Sequence, residues 1–250
     1  MKKTWTVLTL PVLIFLCVGS AQADFVGLNI GASHWAPELS GSFSGNGDPA
    51  PIDLSGDLGI DDDPSQSWLV LTLEHPIPLL PNLRYQEFDL NTSGLSNSSF
   101  IFNGTPFSGT INSTFDLSHD DIVLYYELLD NWVSLDLGLD IKVFDGEVEV
   151  NESGGPTETV LVDDTVPLFY ISARFDLPYS GFYIGADINN NFNTGDGTAE
   201  DSSIMLGYES GSGLGLEGGI KKFSIDLDDI NNLNTSLEYD GIYLNGYFHF

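Results

Sequence analysis

The strongest constraint on the fold is a strict alternation of apolar and polar residues. In WVSLDLGLDIKVF (132–144) every second residue from Val133 to Val143 is apolar, and the residues between them are mostly polar or small. Successive side chains of a β-strand point to opposite faces, so this segment predicts a strand with one apolar and one polar face. Residues 165–177 repeat the pattern.

The same pattern predicts ten strands. Most reach the roughly 9–11 residues that a tilted strand needs to cross a bilayer. Segment 82–91 is the least regular because neither of its faces is cleanly apolar, and a β-bulge would explain it. No window after residue 23 has 18 consecutive apolar residues, which excludes a transmembrane helix. The predicted strands are 25–35, 66–75, 82–91, 115–129, 131–145, 165–177, 181–190, 201–210, 213–223 and 237–250.

The connections between these segments alternate in length. The short ones fall at 76–81, near 130, at 178–180 and at 211–212, and the long polar ones at 36–65, 92–114, 146–164, 191–200 and 224–236. Short turns on the periplasmic side and long loops outside are typical of outer-membrane barrels. In hydrocarbon every backbone polar group needs an internal partner, so the sheet must close. We therefore predict an all-β fold, an antiparallel up-and-down transmembrane β-barrel of about ten strands.

A secreted β-sandwich is the soluble alternative, because its strands also alternate around one buried face. A sandwich would not predict that short and long connections alternate along the chain. It also gives no reason for the apolar row of the last strand, LEYDGIYLNGYFHF, in which Ile242, Leu244, Phe248 and Phe250 would face lipid. A terminal aromatic residue such as Phe250 resembles the signal by which barrel-assembly machinery recognises its clients, so that machinery is a predicted partner.

The start of the chain predicts export. Residues 1–23 contain Lys2 and Lys3, an apolar run and then Ala21-Gln22-Ala23, which is the order of a cleaved signal peptide. A membrane anchor would need a longer apolar run. The sequence therefore predicts a single mature domain, 24–250, in the outer membrane of a Gram-negative bacterium. Cys17, the sole cysteine, lies in the signal segment, so the mature domain would contain no disulfide.

The charge balance excludes several partners. The formal net charge is −30, and removal of Lys2 and Lys3 leaves five basic residues against 37 acidic ones, or 5 − 37 = −32. Nucleic acid and anionic surfaces would be repelled. The hydrophobic fraction of 42% and the aromatic fraction of 12% are too high for a disordered acidic chain. The charges must therefore be segregated from the apolar residues.

Three stretches carry a resemblance to a known family. They are DFVGLNIGASHWAPELSGSF (24–43), EHPIPLLPNLRY (74–85) and LYYELLDNWVSLDLGL (124–139). They are similar to a family of small, uncharacterised Gram-negative outer-membrane β-barrel proteins. The similarity covers mainly the first 150 residues and the C-terminal strand. It implies the fold and the location, and it brings no catalytic residues.

The polar faces of the strands predict what fills the lumen. We interpret them as an internal network of ion pairs and hydrogen bonds, because a barrel of this size has little interior space beyond its side chains. The alternative is a narrow, cation-preferring path for small solutes. The predicted network comprises Glu74, Glu127, Asp136, Asp140, Lys142, Arg174, Glu217 and Lys221.

One pattern suggests an enzyme. His34 lies near the outer end of the first predicted strand, and His119 and Asp121 share a face near the top of the fourth. A histidine base oriented by a carboxylate can activate water at a barrel rim. Histidines among 37 acidic residues also acquire such neighbours by chance. We therefore expect no enzymatic activity and keep a rim hydrolase as an alternative.

The long loops are acidic, as in DLSGDLGIDDD (53–63). Carboxylates at this density can collect loosely bound Ca²⁺ or Mg²⁺, and Asp57, Asp61, Asp62 and Asp63 are the candidate ligands. Their spacing does not match an EF-hand loop, so no dedicated cofactor is expected. We predict a monomeric structural or surface-interaction protein whose loops contact ions, outer-membrane lipid, lipopolysaccharide or an external partner.

Overall fold

The computed structural model describes residues 26–60, 66–77, 79–191, 197–230 and 233–250, without the side chains of 227–230. The predicted signal peptide lies outside this part of the chain. Within it, no helix is long and apolar enough to cross a membrane. The described residues form the strands β1 (Gly27–Gly45), β2 (Ile52–Asp53), β3 (Gln66–Glu74), β4 (Asn82–Phe88), β5 (Asn91–Phe102), β6 (Thr105–Asp116), β7 (His119–Asp130), β8 (Val133–Phe144), β9 (Gly146–Glu152), β10 (Thr157–Val162), β11 (Thr165–Asp176), β12 (Phe182–Asn190), β13 (Gly197–Glu209), β14 (Leu214–Ile230) and β15 (Leu233–His249).

Ten of these strands form a closed antiparallel barrel. Its order is β1, β3, β4, β7, β8 and β11 to β15, and β15 returns to pair with β1 from Asn29↔His249 to Gly45↔Leu233. Closure leaves the barrel without a free edge. The predicted fold is therefore confirmed, and each of the ten predicted segments overlaps one barrel strand. The bulge suggested for 82–91 is not found in β4, which pairs with β3 and β7 without a register shift. The register shifts instead between Glu127 and Leu129 of β7 and between Leu227 and Ile230 of β14.

The barrel has two distinct ends. We call the end with the short connections the turn end and the opposite end the loop end. We call the half of the barrel next to each end the turn half and the loop half. On the turn half, the outward side chains form an exposed apolar belt, which marks the membrane-spanning segments. The belt comprises Ile30, Leu69, Leu71, Leu73, Leu124, Tyr126, Leu128, Leu137, Leu139, Phe169, Ile171, Phe175, Phe182, Ile184, Ile188, Ile204, Leu206, Tyr208, Leu214, Leu216, Ile220, Ile242, Leu244 and Phe248.

At the loop end the strands extend well beyond the belt, and here four predicted strands were too short. β13 begins at Gly197 rather than 201, and β14 continues to Ile230 rather than ending at 223. β1 continues to Gly45 rather than ending at 35, and β15 begins at Leu233 rather than 237. In these extensions the apolar residues lie on the inward face of the strands and the polar residues on the outward face, the reverse of the belt. Phe43 and Tyr239 are buried inside, while Glu38 faces outward. The added length is stable because the strands are still paired and now bury apolar side chains inside the barrel.

Two segments predicted as long loops, 92–114 and 146–164, form a second sheet instead. Strands β10, β9, β6 and β5 pair in that order, and we call this four-stranded unit the head sheet. Its first hairpin turns at Asn103 and Gly104, with φ of 54° and 77°, between the paired residues Phe102 and Thr105. Two consecutive left-handed residues are the signature of a type I′ turn, which an Asn-Gly pair favours.

The head sheet and the loop half of the barrel share one hydrophobic core. The Phe43 ring of β1 lies 5.2 Å from the Phe102 ring and 5.6 Å from the Phe115 ring of the head sheet. Leu54 and Leu58, which follow β2, are also fully buried in this cluster. The head sheet is therefore packed onto the barrel as one folded unit.

Candidate functional site

The turn half of the lumen contains a polar chamber of about 390 Å³. It reaches the turn end of the barrel at Asp130 and Asn131. The structure places six of the eight residues of the predicted lumen network in its wall, namely Glu74, Glu127, Asp136, Arg174, Glu217 and Lys221. The remaining two, Asp140 and Lys142, lie nearer the loop end.

Tyrosine hydroxyls donate hydrogen bonds to two carboxylates of the chamber, Glu74 and Glu217. Tyr125 Oη donates to Glu74 at 2.8 Å, and Tyr183 Oη and Tyr243 Oη donate to Glu217 at 2.8 and 3.0 Å. Two of the large rings fit because glycines lie opposite them. A Cβ atom at Gly207 would lie 2.1 Å from Tyr183 Cζ, and one at Gly215 would lie 2.1 Å from Tyr247 Cζ.

Arginines supply part of the countercharge in the chamber. Arg84 lies 3.5 Å from Asp187, and Arg174 donates to Asp176 at 2.8 and 3.0 Å. Glu127 and Asp136 are direct cross-strand neighbours, and within the described residues no cation forms a salt bridge with either. The described lining of the chamber therefore carries more carboxylates than cations. Of the two unpaired ones, Glu127 is exposed, whereas one oxygen of Asp136 is buried without a hydrogen-bond partner.

A buried ion cluster closes the chamber toward the loop end. Lys142 has no exposed surface, and its Nζ lies 2.6 Å from Asp121, 2.9 Å from Asp201 and 3.5 Å from Asp140. Lys221 Nζ also bonds Asp201. The residues come from β7, β8, β13 and β14, so the cluster spans the lumen. A buried charge requires such partners, because desolvation of an unpaired one costs several kcal/mol.

An aromatic layer lies directly above the cluster. The His119 ring packs 5.0 Å from Phe88, 4.9 Å from Phe144 and 5.3 Å from Phe223, and Trp68 packs 4.7 Å from Phe88. Lys142 Nζ lies 5.2 Å from the Phe223 ring, within range of a cation–π interaction. Above this layer the shared hydrophobic core begins, so the described residues leave no continuous polar path through the lumen.

The candidate catalytic residues do not come together. His34 points outward and hydrogen-bonds Ser67 Oγ at 3.0 Å, whereas His119 points inward and is buried. His119 Nδ1 donates to the Leu117 carbonyl at 2.8 Å, and its Nε2 lies 3.6 Å from Asp121 Oδ1. His119 lies on the loop side of the belt, where burial, reinforced by Lys142, lowers its pKa to about 3. Its imidazole is therefore neutral and enclosed by aromatic rings.

The candidate metal ligands are only partly within the described residues. Asp61, Asp62 and Asp63 lie outside them. The Asp57 carboxylate accepts hydrogen bonds from the Asp53 N–H at 2.9 Å and the Ser98 hydroxyl at 3.1 Å. In the part of the chain that the structure describes, no three acidic, histidine or cysteine side chains are arranged to hold a metal ion.

The aromatic layer and the head sheet are the features that the sequence reasoning missed. A signal for each was present. The phase of the alternation changes within β14, where Ile220 faces outward but Phe223 and Ile225 face inward. The pair Asn103-Gly104, flanked by apolar residues, indicates a hairpin.

Neither a protein-family model nor a curated protein matches the chain. The family resemblance therefore stays a prediction. Among solved structures, the outer membrane protease OmpT of Escherichia coli is similar at 10% identity, with 89% of this chain and 97% of that one covered and a TM-score of 0.41. The Pseudomonas putida toluene transporter TodX is similar at 11% identity, with 91% and 90% covered and a TM-score of 0.34.

A loop-deletion mutant of OmpT, an outer membrane protein of Vibrio cholerae, is similar at 9% identity, with 91% and 100% covered and a TM-score of 0.30. These TM-scores and identities are too low to transfer an activity from any of these proteins. The architecture described above is an outer-membrane β-barrel fold.

Proposed function

We propose that this protein is a non-conducting barrel of the outer membrane that acts at the cell surface through its head sheet. The observation that carries the proposal is the hydrophobic core that fills the loop half of the lumen and continues into the head sheet. A core at native packing density excludes water, so it blocks a solute path and fixes the head sheet on the barrel. The short turns face the periplasm, and Phe250 presents the chain to the barrel-assembly machinery.

The exposed face of the head sheet differs in chemistry from the rest of this acidic chain. It carries mainly hydroxyl and amide side chains, with Leu95, Ile101 and Leu161 as exposed apolar residues and with Glu147 and Glu149 as half-buried carboxylates on β9. Uncharged donors and acceptors in regular rows are suited to hydrogen bonding with neutral sugars. The exposed polar residues are Ser93, Asn97, Ser99, Ser108, Thr110, Asn112, Thr157 and Thr159.

The partner that fits this face is the neutral saccharide of lipopolysaccharide, which surrounds an outer-membrane barrel at this height. A net charge of −30 on the whole chain repels phosphate groups, so the sugars rather than the anionic core are the expected contact. The protein would then anchor the saccharide layer and would need neither an open lumen nor a catalytic centre.

Surface plasmon resonance tests this proposal. The barrel is immobilised in nanodiscs and exposed to phosphate-free, lipid-free polysaccharide prepared from lipopolysaccharide. We expect saturable binding that falls roughly fivefold or more in the Asn97→Ala/Asn112→Ala variant, because each lost hydrogen bond costs about 1 kcal/mol. Tyr179→Ala, at an exposed residue of the opposite end, is the control and should bind normally. Absent binding, or unchanged binding in the double variant, would contradict the proposal.

A further inference from the structure

A second cavity lies at the junction between the head sheet and the barrel. Its volume is about 160 Å³, and it is bounded by the β9–β10 hairpin on one side and by the loop ends of β11, β13, β14 and β15 on the other. It is separate from the polar chamber, with which it shares no lining residue. Its main lining residues are Phe115, Phe144, Val148, Val160, Ile225 and Leu237.

The wall of this cavity is almost entirely apolar. Asp164, Thr165 and Thr235 are the polar side chains among its described lining residues. Leu161 and Thr165 at its border are exposed, so the cavity reaches solvent between β10 and β11. It opens on the loop side of the apolar belt, outside the membrane-spanning segments. A ligand would therefore enter from the extracellular medium.

One polar atom in this wall lacks a partner. Thr235 is 8% exposed, and its Oγ1 is buried without a hydrogen-bond partner among the described residues. Buried hydroxyls are normally hydrogen-bonded, and each exception calls for an explanation. Thr235 lines the cavity, so a rotamer that turned its hydroxyl into that space would let a ligand satisfy it.

The size of the cavity sets the size of the ligand. Protein interiors contain few voids larger than a water molecule. A dry cavity of about 150 Å³ lined by Leu, Ile and Phe binds a benzene ring. We infer that the cavity is a binding site for one compact apolar molecule of single-ring size that carries a hydroxyl group, as a simple phenol does. The ring fills the apolar space, and its hydroxyl pairs with Thr235.

Fluorine NMR of small ligands tests this site. The protein in lipid nanodiscs is titrated with 4-fluorophenol and with fluorobenzene, and empty nanodiscs of the same lipid provide the partition baseline. Unaltered protein should show a saturable component above that baseline for both ligands. The absence of a saturable component for 4-fluorophenol overturns the inference and identifies the cavity as a packing void.

Three substitutions assign the binding to the cavity. Ala199→Phe fills it from a buried position, and at least a tenfold loss of both ligands is expected. Ala186→Phe, the same change on the outward face of β12, is the matched control and should bind like the unaltered protein. Thr235→Val keeps the shape but removes the hydroxyl, so 4-fluorophenol should weaken roughly fivefold while fluorobenzene is unchanged.

Other results would refute the assignment. Normal binding by Ala199→Phe places the ligand elsewhere, and an unchanged affinity of Thr235→Val for 4-fluorophenol removes the role of the hydroxyl. Heat-modifiable mobility in SDS gels shows whether each variant has folded. If Ala199→Phe does not fold, Val160→Phe fills the cavity from the head sheet and carries the same expectation.

Discussion

In the turn half of the barrel the inward side chains are charged or carry hydroxyls, whereas in the loop half they are aromatic and aliphatic. The outward side chains show the opposite arrangement, with an apolar belt at the turn end and residues such as Glu38 and Lys222 beyond it. Each face takes its chemistry from its solvent: lipid outside the turn half, and water outside the loop half. A hydrophobic interior thus becomes necessary where the wall leaves the membrane.

The buried ion cluster that closes the chamber and the ion pairs inside the chamber differ most in expected effect. Lys142→Met leaves three carboxylates in a site without water, so the free energy of unfolding should fall by about 3–5 kcal/mol. Arg84→Met breaks the Arg84–Asp187 pair, whose side chains are each 23% exposed, and should cost no more than about 1 kcal/mol. Guanidinium unfolding in phospholipid vesicles, followed by tryptophan fluorescence, measures both. Equal losses would show that the Lys142 cluster is as accessible to water as the chamber.

Low pH should lower the free energy of unfolding, because His119 is buried in its neutral form in the loop half. Its pKa in the folded protein is about 3, below the ordinary 6.5, so between these values the folded state binds fewer protons than the unfolded chain. Stability is then full above pH 6.5 and falls as the pH drops toward 3, with a slope of up to about 1.4 kcal/mol per pH unit from this group. His119→Phe should remove that part of the slope.

Unfolding curves at pH 6.5 and 4.5 check this prediction. The loss of stability between the two pH values should be about 2–3 kcal/mol smaller in His119→Phe than in the unaltered protein. His34→Phe, on the outer wall, is the control for replacing a histidine by phenylalanine. Identical slopes for His119→Phe and the unaltered protein would mean that His119 is accessible to water.

The packing of tyrosines in the chamber predicts a smaller effect. Gly207→Ala places a Cβ atom against the Tyr183 ring, which Arg174 covers at 3.7 Å, and should cost about 1–3 kcal/mol through overpacking. Gly246→Ala has open space around the new methyl group and should be nearly neutral in the same unfolding assay. If Gly207→Ala left the free energy of unfolding unchanged, the Tyr183 ring could move to accommodate the new methyl group without cost.

The smallest predicted effect lies in the head sheet. Asn103→Ala puts a less tolerant residue at a φ of 54° and should cost about 1 kcal/mol. Asn97→Ala, on the exposed face of the same hairpin, is the control and should cost less. Because the head sheet and barrel share one core, the loss should appear in the global unfolding transition. A separate, earlier transition for the head sheet would contradict a shared core.

The sequence was sufficient for the regular barrel strands because a period of two over nine or more residues has few other physical meanings. Segment 82–91 was assigned without clean alternation, and its strand β4 has only seven residues. It was insufficient for the loop half for one reason. The prediction treated apolar residues as lipid-facing throughout, while the phase of the pattern changes between Ile220 and Phe223. Segments such as 92–114 were assigned to loops because Ser and Asn dominate them, although Phe107, Ile111 and Phe115 alternate on one face.

The site was less predictable than the fold. The inward direction of Lys142 and Asp121 followed from strand phase alone. Their contact with Asp201 did not, because it depends on how the strands stagger around the barrel. Asp201 was not among the predicted network residues. The outward position of His34 follows from the alternation along the full length of β1, which places His34 on the same face as Ile30 and Glu38.

Single-channel recording in planar bilayers tests the central claim most directly. The purified, folded protein should insert into the bilayer without steady conductance steps. A porin of about 16 strands, recorded in the same bilayers, is the positive control and should give conductance steps, because barrels of that size enclose an aqueous channel. Stable conductance steps from the unaltered protein would contradict a lumen that is closed by a hydrophobic core.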